Sequence, residues 1–241
     1  MGPDGATFLD ARAVRPRLGR KADGALRLHA AAKVNLSLSV GAPRPDGYHP
    51  LDSLVARISL YDVLTLAPAA EGIRFTCEGL SCGPDEENLA VRAARALARA
   101  APSAGPRGAD VRLTKHIPPG AGLGGGSSDA AAVLVGLNEL WELSLGLREL
   151  ADVAADLGSD VPLFLGPPAA RMTGRGERLR PVSLPPFWVV LHVPPITCPT
   201  GPVYGAFDEA GPATLRPERV PVPPAEAAPS TWAGGLRNDL A

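Results

Sequence analysis

Between a strand-like and a helix-like pattern the chain reads Pro118-Pro119-Gly120-Ala121-Gly122-Leu123-Gly124-Gly125-Gly126-Ser127-Ser128-Asp129. Residues 120–128 hold five glycines and end in two serines at the start of a helix. Glycine lets the backbone curl until several N–H groups converge. A helix N-terminus adds unsatisfied N–H groups and a partial positive charge. The stretch therefore predicts a cradle for phosphate oxygens, built from Pro118, Gly120, Gly122, Leu123, Gly124, Gly125 and Gly126. Ser127 and Ser128 offer hydroxyls to phosphate or to a bound Mg²⁺. The competing reading is a glycine turn with Ser or Asp as a plain cap, but five glycines exceed what a cap needs. A Walker A loop is excluded because no lysine precedes the serines. Gly120-x-Gly122-x-x-Gly125 meets the dinucleotide pattern only formally, since Pro118-Pro119 leaves no tight strand-to-helix turn. The companion motifs of protein kinases are absent.

The pattern extends outward from this loop. Val111–Ile117 alternates as a strand. After the loop, Val133, Leu134, Leu137, Leu140 and Trp141 form an apolar helical stripe, and a further helix runs from about Leu147 to Leu157 and stops at Gly158. Upstream, Val34, Leu36, Leu38 and Val40 alternate with Lys33, Asn35, Ser37 and Ser39. This predicts a strand with one apolar and one polar face, on which Lys33 and Asn35 point the same way. Ala42–His49 is a turn-rich loop in which Asp46-Gly47 signals a hairpin. Leu54–Leu66 is a strand region broken near Tyr61-Asp62, and Ile73–Cys77 is a short strand. Asn88 opens an Ala/Arg/Leu-rich helix to Ala101 as its N-cap. Trp188–Val193 reads as a buried strand. Strands and helices mix without strict βαβ alternation, so the predicted class is α+β.

Composition limits the alternatives. The 241 residues are 45% apolar and 20% charged, with 24 basic against 25 acidic residues and a net charge of −1. That balance gives no electrostatic case for nucleic acid or an anionic membrane, and no apolar run approaches a membrane span. Residues 1–24 carry Arg12, Arg15, Arg17, Arg20 and Lys21 without an apolar core, so they read as a disordered tail and not a secretory signal. Cys77, Cys82 and Cys198 lack the partners of a zinc site or disulfide framework, and read as reduced thiols of a cytoplasmic protein. Residues 181–229 hold 13 of the 27 prolines, and Pro217–Pro229 reads as a linker or disordered segment.

Four segments occur in a fixed order: Ala32-Lys33-Val34-Asn35-Leu36, Pro45-Asp46-Gly47-Tyr48-His49, Gly122-Leu123-Gly124-Gly125-Gly126-Ser127-Ser128-Asp129 and Gly158-Ser159-Asp160-Val161-Pro162. The glycine segment resembles the second motif of the small-molecule kinase superfamily of galactokinase, homoserine kinase, mevalonate kinase and phosphomevalonate kinase. The set of four is similar to the 4-diphosphocytidyl-2-C-methyl-D-erythritol kinase family, over about Leu26 to Tyr204 and again at Asn238-Asp239-Leu240. The resemblance implies a two-domain small-molecule kinase fold: a ribosomal protein S5 domain 2-like unit over 25–170, after the tail 1–24, and a ferredoxin-like unit over 171–241. It also implies ATP with Mg²⁺, and a substrate in which cytidine diphosphate is linked to methylerythritol.

By the same resemblance, Asp160 is the catalytic carboxylate that takes or orients the substrate hydroxyl proton, with Lys33 as its partner and Asn35 contacting substrate. Taken alone, Asp160 reads as a solvated turn cap and Lys33 as an exposed strand lysine. Tyr48 is implied to stack on cytosine, His49 to bond the base edge, and Thr200 and Tyr204 to cover the other face. Asn88 and Lys115 are candidates for holding the adenine nucleotide, beside the simpler readings of a helix cap and a solvated lysine. Arg175, in Gly174-Arg175-Gly176-Glu177, falls in a family loop without an assigned role. No Mg²⁺ carboxylate and no oligomeric state can be read from the sequence. The rival functions are another kinase of the superfamily, against which the Pro45–His49 loop speaks, and a nucleotide-binding fragment without turnover. A late Ser-Gly-Ser-Gly-type loop is not found. The second unit is therefore expected to be incomplete, with reduced stability and weak or no activity.

Overall fold

A computed structural model describes residues 19–21, 24–101, 107–193, 200–211 and 217–240, with Thr200 by its backbone alone. Cys198 and most of the expected tail lie outside these residues. Within them a mixed sheet contains β1 (Gly19–Arg20), β2 (Leu26–Val40), β3 (Leu51–Ala69), β4 (Ile73–Gly79), β5 (Gly108–Lys115), β6 (Ala169–Gly174) and β7 (Arg178–Pro181). The helices are α1 (Leu89–Ala100), α2 (Gly125–Leu140), α3 (Leu147–Leu157), α4 (Val161–Leu165), α5 (Thr200–Ala210) and α6 (Pro229–Trp232). The α+β class is as expected.

The long strand β3 organises the sheet. It pairs with β2 along one edge; its other edge takes β6 at Leu51–Ala56 and β5 at Val63–Ala69. Strand β4 adds parallel to β5. One face of the sheet, carrying Leu26, Leu28, Leu64, Leu66, Val111 and Leu113, closes a core with Ala90, Leu97, Leu134 and Leu137 of α1 and α2. At about 25 cal/mol per Å² of apolar surface, such burial is the main term holding the layers together.

Several expectations need correction. The break near Tyr61-Asp62 is a bulge and not an end: Ala31 faces Tyr61 but Ala32 faces Ile58, leaving Ser59 and Leu60 outside the register. An extra pair of residues bends a strand without ending its ladder. The domain boundary expected at 170/171 falls inside β6, which extends the same sheet because the first half of β3 has a free edge there. Residues 19–20 of the expected tail form β1 against Leu26 and Arg27. Trp188–Val193 is not a buried strand: Trp188 is 99% and Val190 97% exposed, and no described strand pairs with the segment. An apolar run becomes a buried strand only where a neighbour supplies hydrogen bonds and cover. Cys77 and Cys82 are joined as a disulfide, not left as thiols. The turn after β4 returns the chain, bringing their Cα atoms to 6.7 Å, within bridging range.

The polar face of β2 is not solvated either. Ser37 and Ser39 are buried, covered by residues 217–240. Ser37 Oγ donates to the Arg237 carbonyl at 3.0 Å, and Ser39 Oγ to Asp239 Oδ2 at 3.1 Å. Ser39 Oγ also accepts from Glu218 N at 2.9 Å. Asn238 bridges in parallel to Leu38. The part of Pro217–Pro229 next to β2 is thus docked: Pro217 packs on Gly41, and Val220 is buried. Proline needs no acceptor for an N–H it lacks, which suits such an irregular, packed segment.

Candidate active site

The glycine loop is tied to β2. Lys33 N donates to the Leu123 carbonyl at 2.9 Å, so the loop occupies a stretch of strand edge. The Leu123 side chain is buried with Ala32 and Ile117, which anchors the loop from inside. Gly124 is the N-cap of α2 with φ +68°, and no side chain caps the helix. A Cβ at Gly124 would come within 2.8 Å of the Phe164 ring and 3.1 Å of Lys33 Cγ. Glycine is required there by conformation and by space. The first-turn N–H groups of α2 are left with no side-chain acceptor, the condition for anion binding at a helix start. Ser127 is half-buried and Ser128 buried in that turn. Pro118 is half-buried; Gly120 and Gly122 are exposed with positive φ. Asn88 caps α1 by accepting from Ala90 N at 2.9 Å, and Leu89 beside it comes within 3.5 Å of a Cβ placed at Gly126.

Lys115, read in isolation as solvated, is buried beneath the loop. Its ammonium donates to Asp62 and, at 2.8 Å, to Asp129 Oδ2. A Cβ on Gly125 would meet Lys115 Nζ at 2.8 Å. Asp62 also accepts from His116 N at 2.6 Å and Ile117 N at 2.8 Å, fixing the turn out of β5. Asp129 Oδ1 is buried without a partner. Two carboxylates share one ammonium, and Asp129 has the fewer donors. Burial pushes its pKa up to about 7, against the pull of Lys115. Asp62 was missed at the sequence level; its signal is a carboxylate inside an apolar strand, which burial tolerates only with partners.

Asp160 occupies the N-cap of α4 but makes no capping bond there. Its Oδ2 lies 3.7 Å from Lys33 Nζ, with Lys33 nearly buried and Asp160 partly open to solvent. Lys33 Nζ also donates to Asn35 Oδ1 at 3.4 Å, so the strand period brings Lys33 and Asn35 together as predicted. Helix α4 is held from its end by Arg57, which donates to the carbonyls of Phe164, at 3.4 Å, and Gly166. Burial lowers this guanidinium's pKa to about 10.

A second group of residues lies beside the pair. His49 is buried in the β2–β3 loop; its ring stands 4.9 Å from that of Tyr204 and 6.0 Å from that of Phe207. His49 Nε2 is 2.7 Å from Asp208 Oδ1, which ties α5 to the loop. Burial raises the Tyr204 pKa, and the nearby charge of Asp160 adds to this. Tyr48 is half exposed, and the Arg175 guanidinium lies 4.5 Å over its ring. Among the described residues Tyr204 packs on His49 and Tyr48 on Arg175, so each tyrosine has its own neighbour. Thr200 begins α5. A separate cavity of about 950 Å³, lined by Arg57, Tyr61, Phe164 and Phe187, reaches Ser128 but none of the other predicted site residues.

The chain was compared with known proteins over its whole length. Residues 88–166 match the family described as GHMP kinases N terminal domain. The chain is 47% identical over 194 residues to 4-diphosphocytidyl-2-C-methyl-D-erythritol kinase of Symbiobacterium thermophilum, covering 80% of this chain and 68% of that one. It is 47% identical over 181 residues to the enzyme of that name from Exiguobacterium sibiricum, covering 74% and 63%. The chain thus spans about two thirds of the length of these relatives. A crystal structure of 4-(cytidine 5'-diphospho)-2C-methyl-D-erythritol kinase superposes with a TM-score of 0.65 at 42% identity, covering 89% of this chain and 75% of that one. Mevalonate kinase of Methanococcus jannaschii, at 13% identity and a TM-score of 0.50 over 70% of this chain and 57% of that one, shares the fold alone. Among the described residues no helix is long and apolar enough to cross a membrane.

Proposed function

The chain belongs to the 4-diphosphocytidyl-2-C-methyl-D-erythritol kinase family, and from that premise we propose that it transfers the terminal phosphoryl group of ATP to the 2-hydroxyl of 4-diphosphocytidyl-2-C-methyl-D-erythritol, a step of the non-mevalonate isoprenoid pathway. The observation that carries this reading is the Lys33–Asp160 pair, 3.7 Å apart beside the glycine loop. Phosphoryl transfer is mostly positioning and charge neutralisation. In this reading Asp160 accepts or orients the proton of the attacking hydroxyl. The Lys33 ammonium faces the charge that develops on the transferred group. The N–H groups of residues 122–127 hold the ATP phosphates, while Ser128 N donates to the Gly124 carbonyl at 2.9 Å within the helix. Asn88 fixes the start of α1 against the loop, and Lys115 braces the loop from beneath.

At the acceptor end Asn35 contacts the substrate. Tyr48, His49, Thr200 and Tyr204 form the cytidine pocket, with the tyrosines offering flat faces. The Nε2 of His49 is already engaged by Asp208, so His49 orders the wall that Tyr204 builds and offers its remaining polar atoms to the base edge. Mg²⁺ accompanies ATP in this chemistry and would neutralise phosphate charge. Among the described residues no three His, Cys, Asp or Glu side chains cluster to hold a metal ion. The Ser127 and Ser128 hydroxyls at the start of α2 would be available to an ion carried by the nucleotide phosphates.

The test is ADP release with two alcohols, the cytidine-bearing substrate and a cytidine-free polyol such as mevalonate. Turnover, however weak, is expected with the first alone. Turnover of the second, with none of the first, would reassign the chain to another kinase of the superfamily.

A further inference from the structure

We propose that Arg175 is a specificity-determining residue that recognises the diphosphate of the substrate; the inference rests on the cytidine-linked reading above. Its position carries the argument. Strand β6 pairs with β3 starting at Leu51↔Gly174, so the turn between β6 and β7 lies at the mouth of the loop that carries Tyr48 and His49. The Arg175 guanidinium covers the Tyr48 ring at 4.5 Å. On its other side the same turn comes near the residue before Asp160: Gly176 is buried, and a Cβ there would lie 3.9 Å from the carbonyl of Ser159. Arg175 thus stands on a turn between the residues assigned to the base and those assigned to the acceptor hydroxyl. A substrate whose base and alcohol occupy those two ends must pass its diphosphate through the space between them.

The turn is built to present this side chain. Arg175 N donates to Glu177 Oε2 at 2.5 Å, and Gly174 and Gly176 adopt φ of +76° and +113°. The Glu177 carboxylate is spent on that backbone N–H and on Arg178 at 3.5 Å. Among the described residues no carboxylate forms an ion pair with the Arg175 guanidinium, which is exposed and lies over Tyr48. A planar, permanently charged fork lying on an aromatic face suits two phosphate groups in series. Stacking on Tyr48 limits its rotamers before a ligand arrives.

The experiment is a calorimetric titration of cytidine, cytidine 5'-monophosphate and cytidine 5'-diphosphate into the full chain and its Arg175→Gln and Arg175→Lys variants. The unmodified chain is expected to prefer the diphosphate over cytidine. Arg175→Gln should reduce that preference roughly tenfold while leaving cytidine affinity within about twofold, as loss of a charge-assisted contact predicts. Arg175→Lys keeps the charge but loses the fork and should show a preference between those of the unmodified chain and the glutamine variant. A glutamine variant that retains the whole preference overturns the inference. So does an equal loss for all three ligands, which would make Arg175 a prop for Tyr48 alone, or a lysine variant as weak as the glutamine one. If the unmodified chain binds no cytidine compound, the cytidine reading and the inference fall together; cytidine binding without an Arg175-dependent preference sinks only the inference.

Discussion

Lys115 Nζ at the end of β5 donates to Asp129 Oδ2 in the second turn of α2 at 2.8 Å, and the same ammonium is bound by Asp62 of β3. One buried cation thus ties two strands to the helix whose N-terminus forms the phosphate cradle. Removing it would leave two carboxylates facing each other out of reach of water. Breaking a buried pair in this way costs about 3–5 kcal/mol. Lys115→Met is therefore expected to lower the urea midpoint by that amount of stability. A loss below about 1 kcal/mol, the range of exposed pairs, would contradict the brace.

The same cluster gives stability a pH dependence. Asp129 has a pKa of about 7 in the folded chain, raised by burial, against about 4 when unfolded. Between these values the folded state holds a proton that the unfolded state releases. The contribution is full below about pH 4 and is lost as pH rises through about 7. Denaturation midpoints measured from pH 5 to 8 should fall over this range, and Asp129→Asn should flatten the fall. An unchanged slope in that variant would place the titration elsewhere.

The glycines of the loop are expected to differ. Gly124→Ala forces a side chain into positive φ and against the Phe164 ring and Lys33, which costs of order 1–3 kcal/mol. At Gly126 a Cβ would touch only Leu89 at an ordinary 3.5 Å. Within a helix, replacing glycine by alanine stabilises by up to about 1 kcal/mol. Thermal melts of the two variants should therefore shift in opposite directions; equal shifts would contradict the packing described.

Ser39 is the hinge pin of the docked C-terminal segment, bonding Asp239, Glu218 N and, at 2.9 Å, the Arg237 guanidinium. Ser39→Ala leaves those groups short of a partner, at a cost of about 1–3 kcal/mol. The result should be read by limited proteolysis: cleavage within 217–240 should quicken, while the glycine-loop region stays protected. Cleavage at the unmodified rate would mean that the segment is held by other contacts.

What could be read from the sequence depends on the distance over which each feature is built. The glycine loop is local: its glycines, serines and following helix are consecutive, and its anchor Leu123 lies inside it. The Lys33–Asn35 pairing follows from the period of a strand. The meeting of Lys33 with Asp160 joins distant segments; no spacing rule supplies it, and it came with the family resemblance. The Asp62–Lys115–Asp129 brace was not legible for the same reason, with Lys115 separated by 53 and 14 residues from its partners. Trp188–Val193 was misread because apolar, β-branched composition fits a strand whether or not another strand is beside it. The burial of the polar face of β2 was not legible, because buried serines look like solvated ones until the residues that bind them, here 218 and 237–239, are placed.

In the proposed reaction Asp160 and Lys33 act on a hydroxyl held beside the glycine loop. The most direct measurement is substrate-dependent ADP release by the 241-residue chain and by its Asp160→Asn variant, with thermal melts alongside. Expected are ADP formed in step with the cytidine-bearing alcohol, a fall of about 10²–10⁴-fold in kcat for the variant, as removal of a general base implies, and an unchanged melting midpoint. Equal turnover by the variant, or ADP release that does not depend on the cytidine-bearing alcohol, would contradict it.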